Sequence, residues 1–182
     1  CHLEAIEKFT GKRIEQGKFL DIGCGSGSTV RAAADMGWDA IGIDIDTKLI
    51  QLGREQLDVD LRNCPVLDAD LDADSFDFIR LRDVIEHLPN PYEVLQEVKR
   101  LLVPGGIMLV ATPNEGALPT QVRLMMGQKR RVIATVAPPH HVHGFTQKTL
   151  KKIFQRSGLE VIEVKTTTPV DPRYVTARNM QS

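Results

Sequence analysis

Two hydrophobic rhythms alternate along this chain. Short, nearly unbroken apolar runs of strand length occur at Phe19–Ile22, Ala40–Ile43, Phe76–Leu81, Ile107–Ala111 and Leu159–Val164. Between them, apolar residues recur at helical spacing. A run that is apolar on both sides of the pleat suits a strand covered on both faces. The pattern predicts an N-terminal helix around Leu3, Ile6 and Phe9, a strand Lys18–Ile22, and a helix Ser28–Met36. A strand Ala40–Ile43 and a helix Thr47–Leu57 follow, the helix capped by Asp46. Residues 58–75 are ambiguous and read as a weak third strand near Cys64–Leu67, then an acidic loop. After the fourth strand, Asn90-Pro91-Tyr92-Glu93 combines a cap, a first-turn proline and a capping-box glutamate. That helix buries Val94, Leu95, Val98, Leu101 and Leu102 and stops at Pro104-Gly105-Gly106, ahead of the fifth strand. Residues 113–145 form a long connection with some helix around Val122–Met126. Thr146 caps a helix to Arg156, Gly158 ends it, and Leu159–Val164 and Tyr174–Ala177 supply two last strands.

Strands alternating with helices predict an α/β fold with a mostly parallel, doubly wound sheet. The 182 residues read as a single domain, 1–182, with a core over 18–165 and a lid-like insertion at 113–145. A net charge of −1 gives no general attraction to nucleic acid or an anionic membrane. Three cysteines, Cys1, Cys24 and Cys64, suggest neither a disulfide frame nor a zinc knuckle, so a reducing cytoplasm is expected. No apolar run has the length of a membrane span, and no signal-peptide pattern is present. A chain that starts at Cys1 reads as a piece of a longer one.

The chemistry concentrates at Asp21-Ile22-Gly23-Cys24-Gly25-Ser26-Gly27, where a strand runs into a glycine turn and a helix opens. Glycine serves where φ is positive or a ligand meets bare backbone, and the helix N-terminus attracts an anion. A dinucleotide fingerprint needs glycine at position 28, which is Ser28 here. Asp44, at the tip of the second strand and about twenty residues further on, is placed to accept ribose hydroxyls.

The run D-x-G-x-G-x-G resembles the first motif of class I S-adenosylmethionine-dependent methyltransferases. Phe76-Asp77-Phe78-Ile79, Val84-Ile85-Glu86-His87-Leu88, Leu101–Gly106 and Pro139-His140-His141-Val142-His143-Gly144-Phe145-Thr146 resemble later segments of that family in the same order. The similarity is greatest to the branch containing ubiquinone-biosynthesis O-methyltransferases. It implies a Rossmann-like, seven-stranded methyltransferase sheet with S-adenosyl-L-methionine as cofactor. It also implies Asp21 near the cofactor's ammonium, Gly23 and Gly25 at close backbone approach, and Asp44 on the ribose. Ile45 would then wall the adenine and Asp68 receive its amine, with Cys64 and Asp70 as competitors. Leu81 and Arg82 would border the methionine portion through backbone groups.

Asp83, Glu86 and His87 share one face if a helix begins near Arg82. The resemblance associates such a set with a divalent ion, but an ordering Glu–His pair is the expectation and no metal is assigned. His141 is the candidate catalytic base, the alternative being an imidazole that ties its loop to Glu86 or to backbone. Residues 116–139 carry Arg123, Lys129, Arg130 and Arg131 beside Leu124, Met125 and Met126, which suits a lid for an anionic or amphipathic small molecule. The expected activity is methyl transfer to oxygen or nitrogen of a small molecule, with no nucleic-acid partner. The rival readings are an NAD(P)-dependent oxidoreductase and a non-catalytic cofactor-binding homologue.

Overall fold

A computed structural model describes residues 17–113, 142–165 and 173–179. Seven strands form one sheet in the order β3-β2-β1-β4-β5-β7-β6. They are β1 (Lys18–Ile22), β2 (Asp39–Asp44), β3 (Asp60–Asn63), β4 (Phe76–Arg82), β5 (Leu102–Thr112), β6 (Leu159–Lys165) and β7 (Arg173–Asn179). The first five pair in parallel, and β7 runs antiparallel between β5 and β6. The described helices are α1 (Ser28–Asp35), α2 (Thr47–Gln56), α3 (Pro91–Leu101) and α4 (Gln147–Arg156).

Each face of the sheet carries its own core, as the two-sided apolar strands require. On one face Leu20, Ile22, Ile79, Leu81 and Val110 pack with Leu95 and Val98 of α3 and Phe154 of α4. On the other, Phe19, Phe78 and Leu109 pack with Val30 and Ala33 of α1, Ile50 of α2, and Trp38. Alternation then puts Asp21 and Arg80 on this second face, one pleat beyond Phe19 and Phe78.

The predicted caps form. Asp46 accepts from the Lys48 and Leu49 amides at 2.9 and 3.1 Å, and Thr146 and Thr149 close a reciprocal box. Three expectations change. The third strand is Asp60–Asn63, not Cys64–Leu67, because its backbone registers on β2 from Ile41↔Asp60 to Asp44↔Asn63. Pro65 follows, and Val66–Asp68 becomes a 3-10 turn that drops Val66 into the core. β5 begins at Leu102, its pairing slipping between Phe76↔Leu102 and Phe78↔Ile107 so that Pro104-Gly105-Gly106 bulges out. The helix that would have aligned Asp83, Glu86 and His87 does not start at Arg82. Asp83 takes a φ of 53° and only a 3-10 turn, Ile85–His87, follows. The lid-like insertion lies almost wholly outside the described residues. No described helix is long and apolar enough to cross a membrane.

Candidate active site

In an open α/β sheet, ligands sit beyond the carboxyl ends of the strands where the strand order reverses. Here that crevice lies between β1 and β4, whose ends carry the glycine turn and Arg82. Gly23, Gly25 and Gly27 have φ of 76°, 56° and 84°, all in the left-handed region. The amides of Gly23 and Cys24 both donate to the Ile43 carbonyl, at 2.8 and 3.1 Å, and fasten the turn to β2.

Gly23 and Gly25 differ in what surrounds them. A Cβ on Gly23 would stand 2.2 Å from Val84 Cγ2, so that glycine is required by packing. Among the described residues, a Cβ on Gly25 would meet only Leu49 Cδ1, at 3.8 Å. Among the described residues the space beside Gly25 is open, the kind of backbone cradle that a ligand fills.

Asp44 holds this cradle in shape. Its Oδ2 accepts from the Gly25 amide at 2.7 Å and its Oδ1 from the Asp46 amide at 2.8 Å. Each carboxylate oxygen keeps a further acceptor position. Asn63 adds a support not expected from the sequence, because the predicted third strand, near Cys64–Leu67, lay four residues after the observed Asp60–Asn63. Its Nδ2 donates to the Asp44 carbonyl at 2.9 Å, and its Oδ1 accepts from Thr47 Oγ1 at 2.9 Å. Ile45 is 75% exposed at the rim, with Leu67 and Asp68 on the exposed 3-10 turn after β3. Leu81 is fully buried, and Arg82 Nε lies 3.4 Å from Asp83 Oδ2.

Asp21 is wholly buried, and Arg80 Nη1 donates to both its oxygens at 2.7 and 2.8 Å. Burial pushes its carboxyl up to about 6 against the pull of Arg80. Cys24 beside it is pushed up to about 12 by burial and by the charges of Asp21 and Asp44, so its thiol keeps its proton. The Arg80 partner also escaped the sequence reading. Its signal was a lone arginine inside an apolar strand, at the same parity as Asp21.

Across the crevice, Glu86 is 2% exposed. Its Oε2 accepts from Thr112 Oγ1 at 2.9 Å, while its buried Oε1 has no partner among the described residues. Burial raises its carboxyl above the usual range. The Glu86 carbonyl accepts from the amides of Val142 and His143, at 2.9 and 3.0 Å, and so fixes the approach to α4. His143 Nε2 lies 3.4 Å from the Pro89 carbonyl. His141, His140 and the basic stretch fall outside the described residues. Among the described residues no group of three His, Cys, Asp or Glu is arranged to hold a metal ion.

These features agree with comparisons to known proteins. A family model described as a methyltransferase domain matches residues 3–164. The ubiquinone biosynthesis O-methyltransferase of Actinobacillus pleuropneumoniae is 33% identical over 107 residues, covering 53% of this chain and 46% of that protein. The enzyme of the same name from Roseobacter denitrificans is 28% identical over 169 residues, covering 90% of this chain and 66% of its own length. The chain thus spans about half to two thirds of the curated relatives it matches. A Methanosarcina mazei S-adenosylmethionine-dependent methyltransferase structure superposes with a TM-score of 0.71 at 20% identity, covering 92% of this chain and 94% of that one. Phosphoethanolamine N-methyltransferase 2 from Haemonchus contortus, in complex with S-adenosyl-L-methionine, gives 0.71 at 18% identity over 98% of this chain and 52% of its own.

Proposed function

The chain belongs to the methyltransferase domain family, and from that premise we propose that it moves a methyl group from S-adenosyl-L-methionine to oxygen or nitrogen of a small molecule. The observation that carries this reading is the open cradle at Gly25, latched by Asp44 at the end of the neighbouring strand. Close backbone approach and a ribose-facing carboxylate are what a nucleoside with an amino-acid tail requires.

In this reading Gly23, Gly25 and the Cys24 backbone receive the amino-acid end above Asp21. Asp44 uses its remaining acceptor positions on the ribose, the exposed Ile45 walls the adenine, and Asp68 receives the adenine amine. Leu81 and Arg82 border the methionine portion through their backbone. When bound, the cofactor supplies a methyl already activated by its sulfonium. The chain has then to align the acceptor and keep water out. His141, just ahead of the segment held by the Glu86 carbonyl, takes the proton of a hydroxyl acceptor. The relatives named for ubiquinone biosynthesis make oxygen the first acceptor atom to test. The two free cysteines among the described residues suit a reducing cytoplasm.

Thermal unfolding with millimolar S-adenosylhomocysteine tests the cofactor. A ligand that binds only the folded chain raises the melting temperature by mass action. A parallel titration with NADH should leave it unmoved. A folded chain that ignores S-adenosylhomocysteine overturns the proposal. Transfer of labelled methyl to a panel of phenols and amines separates the enzyme from a binding-only homologue.

A further inference from the structure

The least expected pair in the molecule is Asp21 with Arg80. Strands β1 and β4 set these two residues directly opposite each other in register, among Phe19, Phe78 and the helices of the second face. Neither side chain reaches water to any extent, with 0% and 7% exposure. A buried ion pair is a poor device for stability alone, since its desolvation cost offsets much of its attraction. The geometry is also one-sided. A single nitrogen, Nη1, serves both carboxylate oxygens, and the buried Nε has no acceptor among the described residues. Arg80 is therefore not satisfied by the pair as a guanidinium fork would be. What the arrangement does secure is the carboxylate, held from the β4 side two residues before Gly23.

We propose that Arg80 is a positioning residue for cofactor capture, holding Asp21 ionised and in a fixed orientation under the glycine turn that receives the cofactor's ammonium. This rests on the cofactor reading above. The charged groups around Asp21 among the described residues are Arg80 and Arg82 of β4 and Asp44 at the end of β2, with the protonated Cys24 beside it. Desolvation is the largest influence on Asp21 and drives it towards the neutral acid, and Arg80 is the largest opposing one. Protonation of Asp21 leaves the Arg80 charge unbalanced beneath the ammonium and repels it. Without Arg80 the buried carboxyl takes up a proton already near neutral pH, and cofactor binding must expel it.

Calorimetric titration with S-adenosylhomocysteine from pH 5 to 10 reads this linkage directly. In the wild type, affinity should fall by about tenfold per pH unit below a midpoint near the carboxyl's value of about 6. Asp21→Asn should remove that acid limb. Arg80→Met should move the midpoint up by roughly one to three units, the amount a neighbouring guanidinium lowers a carboxyl. Arg80→Lys should bring it back towards the wild-type position. If Arg80→Met lowers the melting temperature but leaves the midpoint unmoved, Arg80 is a packing residue and the proposal is wrong. Should that variant not fold, the wild type and Asp21→Asn still decide it: a flat wild-type profile, or an acid limb that survives Asp21→Asn, overturns it. Absence of binding at every pH removes the cofactor reading itself, a result distinct from binding without linkage.

Discussion

The two sides of the crevice are held by opposite chemistry. At the ends of β1 and β2, backbone amides converge on a carboxylate: Gly25 and Asp46 both donate to Asp44. Beyond the end of β4, backbone amides converge on a carbonyl: Val142 and His143 both donate to Glu86. The first latch is partly buried, with acceptor positions to spare for hydroxyls. The second has its side chain sealed in, one oxygen on Thr112 and the other without a partner among the described residues. A carboxylate that accepts two backbone amides is strongly held. A carboxyl sealed from water leans towards its neutral form. One side thus keeps open acceptor positions beside bare backbone, whereas the other is a sealed wall that braces the start of the segment leading to α4.

The largest effect that could break this contrast is at the cradle. Gly25→Val should abolish S-adenosylhomocysteine binding while the far-UV spectrum stays native-like, since a branched residue strains at φ 56° but meets little beyond Leu49. Gly23→Ala should chiefly lower the melting temperature, through its clash with Val84. If both variants lose stability equally and binding survives, the cradle is structural.

Next in size is the proposed proton acceptor, His141, which precedes the braced segment in the chain. His141→Ala should leave calorimetric affinity for S-adenosylhomocysteine intact and cut turnover of a hydroxyl acceptor by ~10²–10⁴-fold, the usual worth of a general base. The wild-type rate should fall on the acid side as the imidazole gains its proton, and the variant should lack that limb. Full turnover with an unchanged profile would reduce His141 to a loop fastener.

Asp44→Asn should weaken the cofactor by about 1.5–3 kcal/mol, the cost of a lost charged hydrogen bond. An amide has one acceptor oxygen, so it cannot serve Gly25 and Asp46 together, and the melting temperature should fall as well. A drop in stability with unchanged affinity would leave Asp44 as a latch only and erase its ribose role.

The smallest effect is at Glu86. Its folded-state value is raised above the ordinary 4.5, so the folded protein holds that proton longer than the unfolded chain. Its contribution is thus fully present below pH 4.5 and is lost as pH rises through the raised value. Glu86→Gln should flatten this part of the stability profile and leave S-adenosylhomocysteine affinity unchanged. A stability profile that keeps its slope would show that the buried oxygen is not the titrating group.

By itself the sequence determined whatever depends on neighbours within a few residues. Two-sided apolar runs called for a sheet covered on both faces, Asp46 and Thr146 capped the helices they precede, and the glycines marked the turn at the end of β1. Each of these follows from local backbone sterics and the period of burial, which a linear pattern carries in full. Only the tertiary structure decided what depends on strands meeting across long separations. It moved the third strand to Asp60–Asn63 through its register on β2, and so brought Asn63 to the back of Asp44. It set Arg80 opposite Asp21, a pairing across 59 residues that neither strand announces alone. It broke the helix expected after Arg82, because Asp83 turns left-handed as its amide reaches the Ala111 carbonyl on β5. A one-residue change of register exchanges every side chain between the two faces of a strand. The partners of a buried charge are therefore chosen by the assembled sheet, while the rhythm that builds the sheet is written along the chain.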